Sequence, residues 1–182
     1  SRDEGPRTAG STHFREHLLF KGTSKRSALD IAVAFGSVGG ESNAETAREH
    51  TAYWARVRDA DLDMAIETLT DMVTDSRLDE EDFSMERGVI LDELAMGEDS
   101  PTDTVHDTFQ LAVHGDRPIG RPVGGTPQAI REVERADVWE HYQAHYGPSS
   151  LIVAPAGNVD HDSVCERVQP ALEGSPRHAG SA

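Results

Sequence analysis

The sequence is poor in lysine and in basic residues generally. Lysine occurs only at Lys21 and Lys25, and the 17 basic residues are outnumbered by 33 acidic ones, which gives a net charge of −16 at pH 7. So acidic a chain excludes nucleic acid and anionic membrane surfaces as partners, because both bind basic patches. The shortage of lysine fits either a salt-adapted surface or a genome of biased composition, and the sequence leaves both open.

Cysteine and long apolar runs are also scarce. Cys165 is the one cysteine, so no internal disulfide can form and the redox compartment stays undecided. No stretch approaches the roughly 18 apolar residues that span a bilayer. The first residues have no apolar segment of the kind found in a signal peptide. We therefore expect no membrane partner, and the localisation stays open with the cytoplasm as the default.

Hydrophobic periodicity predicts many helices and few strands. Residues 41–58 alternate with a period of two and predict two neighbouring strands, and the apolar run 151–157 predicts a buried strand. Helical spacing and capping signals predict helices over 11–21, 27–36, 59–74, 79–97, 101–113, 127–133, 136–145 and 160–168. The expected class is α+β, with one domain over 1–168 and a flexible tail over 169–182 rich in Pro, Gly, Ser and Ala.

Two helix starts carry particular signals. Ser11 or Thr12 can cap the first helix, and Ser27 with Asp30 has the spacing of a capping box. A cap at Ser11 or Thr12 predicts that the residues that follow it are helical.

The informative motif is the HxxEH segment that begins at His13. His13 and His17 lie four apart, about 40° from each other on a helix, so both rings can reach one cation, and imidazole suits zinc. Glu16 lies at the edge of that face, where a carboxylate can act as general base toward a metal-bound water. The alternative is a pair of surface histidines on an amphipathic helix.

A catalytic zinc site needs a third protein ligand. Glu86 and Glu93 lie seven apart in one predicted helix and share a face within about 20°. One could ligate the metal while the other orients a ligand or the base. The alternative is two solvated glutamates on a helix that is rich in acids.

Several motifs in order resemble the zinc peptidases of the insulinase–pitrilysin family, and most closely its processing-peptidase branch. They are THFREHLLFKGT, GGESNAETAREHTAYWARV, ERGVILDELAM, VHDTF, GRPVGGT and AGNVDH. The likeness runs from about residue 1 to about residue 168. It implies helices packed on one face of a mainly antiparallel sheet, in a domain incomplete at its N-terminus, because family domains usually have strands before the zinc helix.

The resemblance also implies a role for each matching residue. His13, His17 and Glu93 match the ligands of one Zn²⁺ per chain. Glu16 matches the general base, and Glu86 matches a second acidic position that supports the zinc site, so we group it with the catalytic residues.

The resemblance further implies an activity and partners. The expected function is a zinc metalloendopeptidase that cleaves peptides or unfolded segments, with Asn43 near the scissile bond and the ESNAET strand as the edge along which substrate lies. The family usually has a second, metal-free domain or subunit that closes over the substrate. The alternatives are a non-catalytic partner subunit, which would typically lack the zinc residues, and an inactive fragment.

Two other features of the helices do not point to a metal. His141 and His145 form a second pair with a spacing of four, but no acid lies between them and the neighbouring tyrosines favour packing. Arg15 stands where the family usually has an apolar residue. It faces away from His17 on the helix, so we expect it to meet the core or a partner surface.

Overall fold

The computed structural model describes residues 1–173, which form eight α-helices and one two-stranded sheet. The strands are β1 Glu41–Thr46 and β2 Thr51–Arg56. The helices are α1 Ser11–Leu19, α2 Ala28–Gly36, α3 Leu62–Asp75, α4 Glu80–Glu98, α5 Pro101–His114, α6 Pro127–Glu132, α7 Arg135–His145 and α8 His161–Glu173. The predicted α+β class is confirmed. None of these helices is long and apolar enough to cross a bilayer.

The two strands pair as an antiparallel hairpin, as the alternating pattern predicted. The turn is closed by a hydrogen bond of 2.8 Å from the Ala47 N–H to the His50 carbonyl. Along β1 the side chains alternate between exposed and half-buried, with Glu45 outward and Thr46 inward. This alternation is the period of two expected of a ribbon with one wet face.

The chain divides into two compact units, each built from three separate segments. The first unit comprises Ser1–Leu18, Glu45–Ala52 and Leu78–Tyr142. In its core the rings of Phe14 on α1 and Phe83 on α4 stack with centroids 4.4 Å apart. Further buried side chains surround them, namely Leu18, Ile90, Ile130, Val138 and Tyr142. The stack packs α1 against α4, the two helices that carry the candidate metal ligands.

The second unit comprises Leu19–Ala44, Tyr53–Arg77 and residues 143–182, of which those to 173 are described. Its core consists of buried residues from α2 and α3, namely Ile31, Phe35, Ala65 and Met72. The helix α8 packs against α3.

Two predictions about the C-terminal part are wrong. Residues 151–157 form no strand, and Ile152 is 93 % exposed. The described part of the chain has no sheet beyond the β1–β2 hairpin, and Pro155 lacks the N–H that a ladder needs. The last helix continues to Glu173, through the first five residues of the expected tail. Residues 174–182, the rest of that tail, lie outside the described residues.

Candidate metal centre

The helix α1 presents its two histidines on one side and buried residues on the other. The rings of His13 and His17 have centroids 4.8 Å apart and planes at 78°. Arg15 is fully buried, as expected of a residue that faces away from His17, and its guanidinium carbon lies 3.1 Å from the centroid of the Tyr142 ring. This cation–π contact and the buried Phe14 fix the rotation of α1 about its axis.

The start of α1 is held by an acid that the sequence did not single out. Glu4 is buried, and its carboxylate accepts hydrogen bonds from the Gly10 N–H at 2.9 Å and the Thr12 N–H at 2.7 Å. The prediction that Ser11 or Thr12 supplies the cap is therefore wrong. The Thr12 hydroxyl instead lies 3.1 Å from Nε2 of His141.

The helix α4 brings Glu93 to both histidines. Its Oε2 lies 3.4 Å from Nε2 of His17 and 3.8 Å from Nε2 of His13. One ligand atom from each of the three residues lies within 4.8 Å of the other two. Two imidazole nitrogens and one carboxylate oxygen are the protein donor set of several catalytic zinc sites, which leaves a fourth position open. The side chains therefore fit a zinc ion.

Glu86 is not one of the three convergent residues, but it contacts one of them, His17. Its side chain is buried, and its Oε2 lies 2.9 Å from Nδ1 of His17. With the proton on Nδ1, His17 donates to Glu86 and turns the lone pair of Nε2 toward Glu93. The seven-residue spacing thus places both glutamates at the site, one beside each ring nitrogen of His17.

The environment of His13 favours its neutral form. Burial, and to a lesser extent the adjacent His17, lower the pKa of His13 below its ordinary value, while the nearby acids oppose this shift. Within the described ranges, Nδ1 of His13 is buried without a hydrogen-bond partner. Neutral imidazole is the form that binds a metal, so a lowered pKa keeps the ligand ready at neutral pH.

The backbone at Gly124 lies close to both ligand-bearing helices. A Cβ built on Gly124 would lie 3.6 Å from Nδ1 of His13 but only 2.9 Å from Cδ2 of Leu94. Position 124 therefore has no room for a side chain while Leu94 keeps its place. The loop rich in Gly and Pro packs closely on the two ligand-bearing helices.

Glu16 has a partner on the hairpin. Its carboxylate is half-buried and accepts a hydrogen bond from the hydroxyl of Thr46, the last residue of β1. Sequence reasoning did not single out Thr46, because no spacing rule connects two residues 30 positions apart on different elements. Glu16 is not among the three convergent ligands, which leaves its carboxylate available as a base.

Asn43 lies on the part of β1 that belongs to the second unit. It is exposed, and its Oδ1 accepts a hydrogen bond of 2.9 Å from the Ala44 N–H. The structure thus gathers the histidines of the HxxEH motif with Glu86 and Glu93, whereas a contact between Asn43 and substrate stays a prediction.

Comparisons with known proteins give consistent findings. The model of the insulinase family, peptidase family M16, matches residues 1–127. The chain is 53 % identical over 175 residues to an uncharacterized zinc protease of Streptomyces coelicolor, an alignment that covers 96 % of this chain and 38 % of that protein. The chain thus spans about two fifths of the length of such curated relatives.

Solved structures share the fold. A protease from Helicobacter pylori superposes with a TM-score of 0.94 at 26 % identity, over 100 % of this chain and 44 % of that one. A peptidase M16 inactive domain from Pseudomonas fluorescens superposes with a TM-score of 0.86 at 13 % identity, over 100 % of this chain and 44 % of that one. The second likeness concerns the fold alone.

Proposed function

Because the chain belongs to the insulinase family of peptidases, family M16, we propose that it carries the active site of a zinc-dependent metalloendopeptidase. The reaction is hydrolysis of peptide bonds in peptides or unfolded segments. The observation that carries the proposal is the convergence of His13, His17 and Glu93 within 4.8 Å. Glu16 is next to His17 on the same helix.

In this proposal the three convergent residues hold one zinc ion per chain. When bound, zinc supplies a Lewis acid that polarises the scissile carbonyl and makes water more acidic. Glu86 orients His17 through Nδ1, so that Nε2 stays directed at the ligand group. Glu16 takes a proton from the attacking water and later delivers it to the nitrogen of the leaving amine.

Substrate binding is proposed for the hairpin. An extended peptide can add to a strand by main-chain hydrogen bonds, and Asn43 on β1 has an exposed amide that can contact it. Because the curated relatives are longer than this chain, we propose that a further homologous domain or subunit closes the site over the peptide.

A non-catalytic role on the same fold is the second candidate. The inactive M16 domain from Pseudomonas fluorescens has a similar fold, so the fold by itself is compatible with a partner subunit or an inactive fragment. The presence of His13, Glu16, His17 and Glu93 together favours the enzyme.

The test is Glu16→Gln in the intact protein, assayed on an unfolded protein substrate. We expect hydrolysis to fall at least about a hundredfold, because a positioned general base typically contributes 10²–10⁴-fold. Zinc content should stay unchanged, because Glu16 is outside the ligand group. Glu81→Gln, an exposed glutamate on α4, is the matched control and should behave as wild type. Undiminished hydrolysis in Glu16→Gln would refute the assignment of the base.

A further inference from the structure

We propose that Thr46 is a positioning residue for Glu16, and that its hydroxyl fixes the carboxylate in the orientation needed for proton transfer. The inference rests on the proposed function, because it assigns a partner to the proposed base. A carboxylate can only accept, so the Thr46 hydroxyl is the donor of the bond to Oε2 of Glu16. The bond engages a lone pair of Oε2, so we assign the proton transfer to Oε1.

The register of β1 directs Thr46 toward the acid. Side chains alternate along the strand, and Thr46 is on the half-buried side whereas Glu45 is exposed. On the facing strand, Oγ1 of Thr51 lies 3.5 Å from Oγ1 of Thr46. A half-buried hydroxyl that donates to an ionised group makes a stronger bond than one between neutral partners.

The turn of the hairpin is anchored by hydrogen bonds of Arg48, and this anchoring fixes the position of the Thr46 hydroxyl. Arg48, two residues after Thr46, donates to the Asp107 carboxylate at 2.8 Å and to the Ile119 carbonyl at 3.1 Å. It also donates to the Arg121 carbonyl. These bonds tie the turn to α5 and to the loop that follows it, all within the first unit.

The expected loss in kcat follows from how much the orientation of the Glu16 carboxylate contributes to catalysis. A general base that is present but misaligned loses part of its 10²–10⁴-fold contribution, and a displacement of about 1 Å can cost about a hundredfold. We therefore expect loss of the hydroxyl to lower kcat by about 10- to 100-fold. KM should change less than about twofold, because a peptide added to β1 is held by main-chain hydrogen bonds, which the substitution leaves in place.

The experiment compares Thr46→Val with Thr46→Ser in the intact protein. Valine keeps the shape and the β-branch but removes the donor, whereas serine keeps the donor. We expect low kcat with full zinc content in Thr46→Val, and kcat within about threefold of wild type in Thr46→Ser. The matched control is Thr70→Val on α3, which removes a half-buried hydroxyl bonded to the Ile66 carbonyl.

Three results would overturn the role of Thr46. They are an unchanged kcat in Thr46→Val, an equal loss in Thr46→Ser, which would assign the effect to shape, and a loss of zinc, which would assign it to the metal ligands. If valine unfolds the chain, Thr46→Ala against Thr46→Ser carries the same comparison. Failure of the proposed function gives a different result: either wild type does not hydrolyse the substrate, or Glu16→Gln retains hydrolysis, whatever Thr46→Val does.

Discussion

At the scale of single residues, His17 has an acid beside each of its ring nitrogens. Its Nδ1 lies 2.9 Å from buried Glu86, and its Nε2 lies 3.4 Å from Glu93, of which 55 % of the side chain is exposed. Glu86 is buried, so bulk water does not compete for its carboxylate, and the bond to Nδ1 fixes the ring. The exposed acid is the one that can reorganise around a metal.

This arrangement predicts that Glu86→Ala weakens zinc binding without removing a ligand. We expect the dissociation constant for zinc to rise about 10- to 100-fold, which is the usual effect of losing a carboxylate behind a histidine ligand. Competition with a fluorescent zinc chelator measures it. Glu98→Ala, an exposed acid at the end of α4, is the control. Equal affinity in Glu86→Ala and wild type would mean that the bond to His17 does not support the metal.

The residue roles were only partly predictable from the sequence. The helical period places His13 beside His17 and Glu86 beside Glu93, because helix geometry is local. It does not tell which glutamate meets which nitrogen, because that depends on how α1 packs on α4. Thr46 was missed for the same reason, since its contact with Glu16 joins two elements 30 residues apart. Glu4 was missed because it reaches the Gly10 and Thr12 N–H groups from outside α1, at no standard capping spacing.

At the scale of elements, the start of α2 follows local chemistry. The Ser27 side chain accepts from the Asp30 N–H, and the Asp30 carboxylate accepts from the Ser27 N–H at 2.9 Å, so the predicted capping box is confirmed. Segment 151–157 shows the opposite case. A strand needs a neighbour, and a run of apolar residues cannot report whether one is present.

The capping box gives a prediction for stability. Ser27→Ala should lower the free energy of unfolding by about 1 kcal/mol, because the cap of α2 is lost. Hydrogen bonds from the Ser27 hydroxyl and backbone lower the pKa of Asp30 below its ordinary 3.8. The stability that Asp30 contributes is therefore full above that ordinary value and is lost as the pH falls through the lower folded-state pKa.

Urea unfolding at neutral pH and at about pH 3 checks both effects. The difference between wild type and Ser27→Ala should shrink as the pH falls below the ordinary pKa of Asp30, because the unfolded state then binds more protons than the folded state. Ser37→Ala, at the C-terminal end of α2, is the control. Ser37 caps the helix through its backbone N–H, which alanine also has. A difference that grows toward low pH would contradict the box.

At the scale of the whole molecule, the class and the family were accessible from the sequence and the internal division was not. Six motifs in order carry the family, since each is a local string of residues. The two units are each assembled from three segments that alternate along the chain, so no composition shift marks a boundary. Of the 33 acids, Glu16, Glu86 and Glu93 are at the site and Glu4 caps α1, whereas many of the others are exposed.

The proposed function requires that His13, His17 and Glu93 hold a zinc ion. The most direct measurement is the zinc content of the purified protein by mass spectrometry, beside His13→Ala and the exposed control His50→Ala. We predict one zinc per chain in the wild type and the control, and less than about a tenth of that in His13→Ala. A wild type without zinc, or a His13→Ala variant that keeps it, would refute this zinc site.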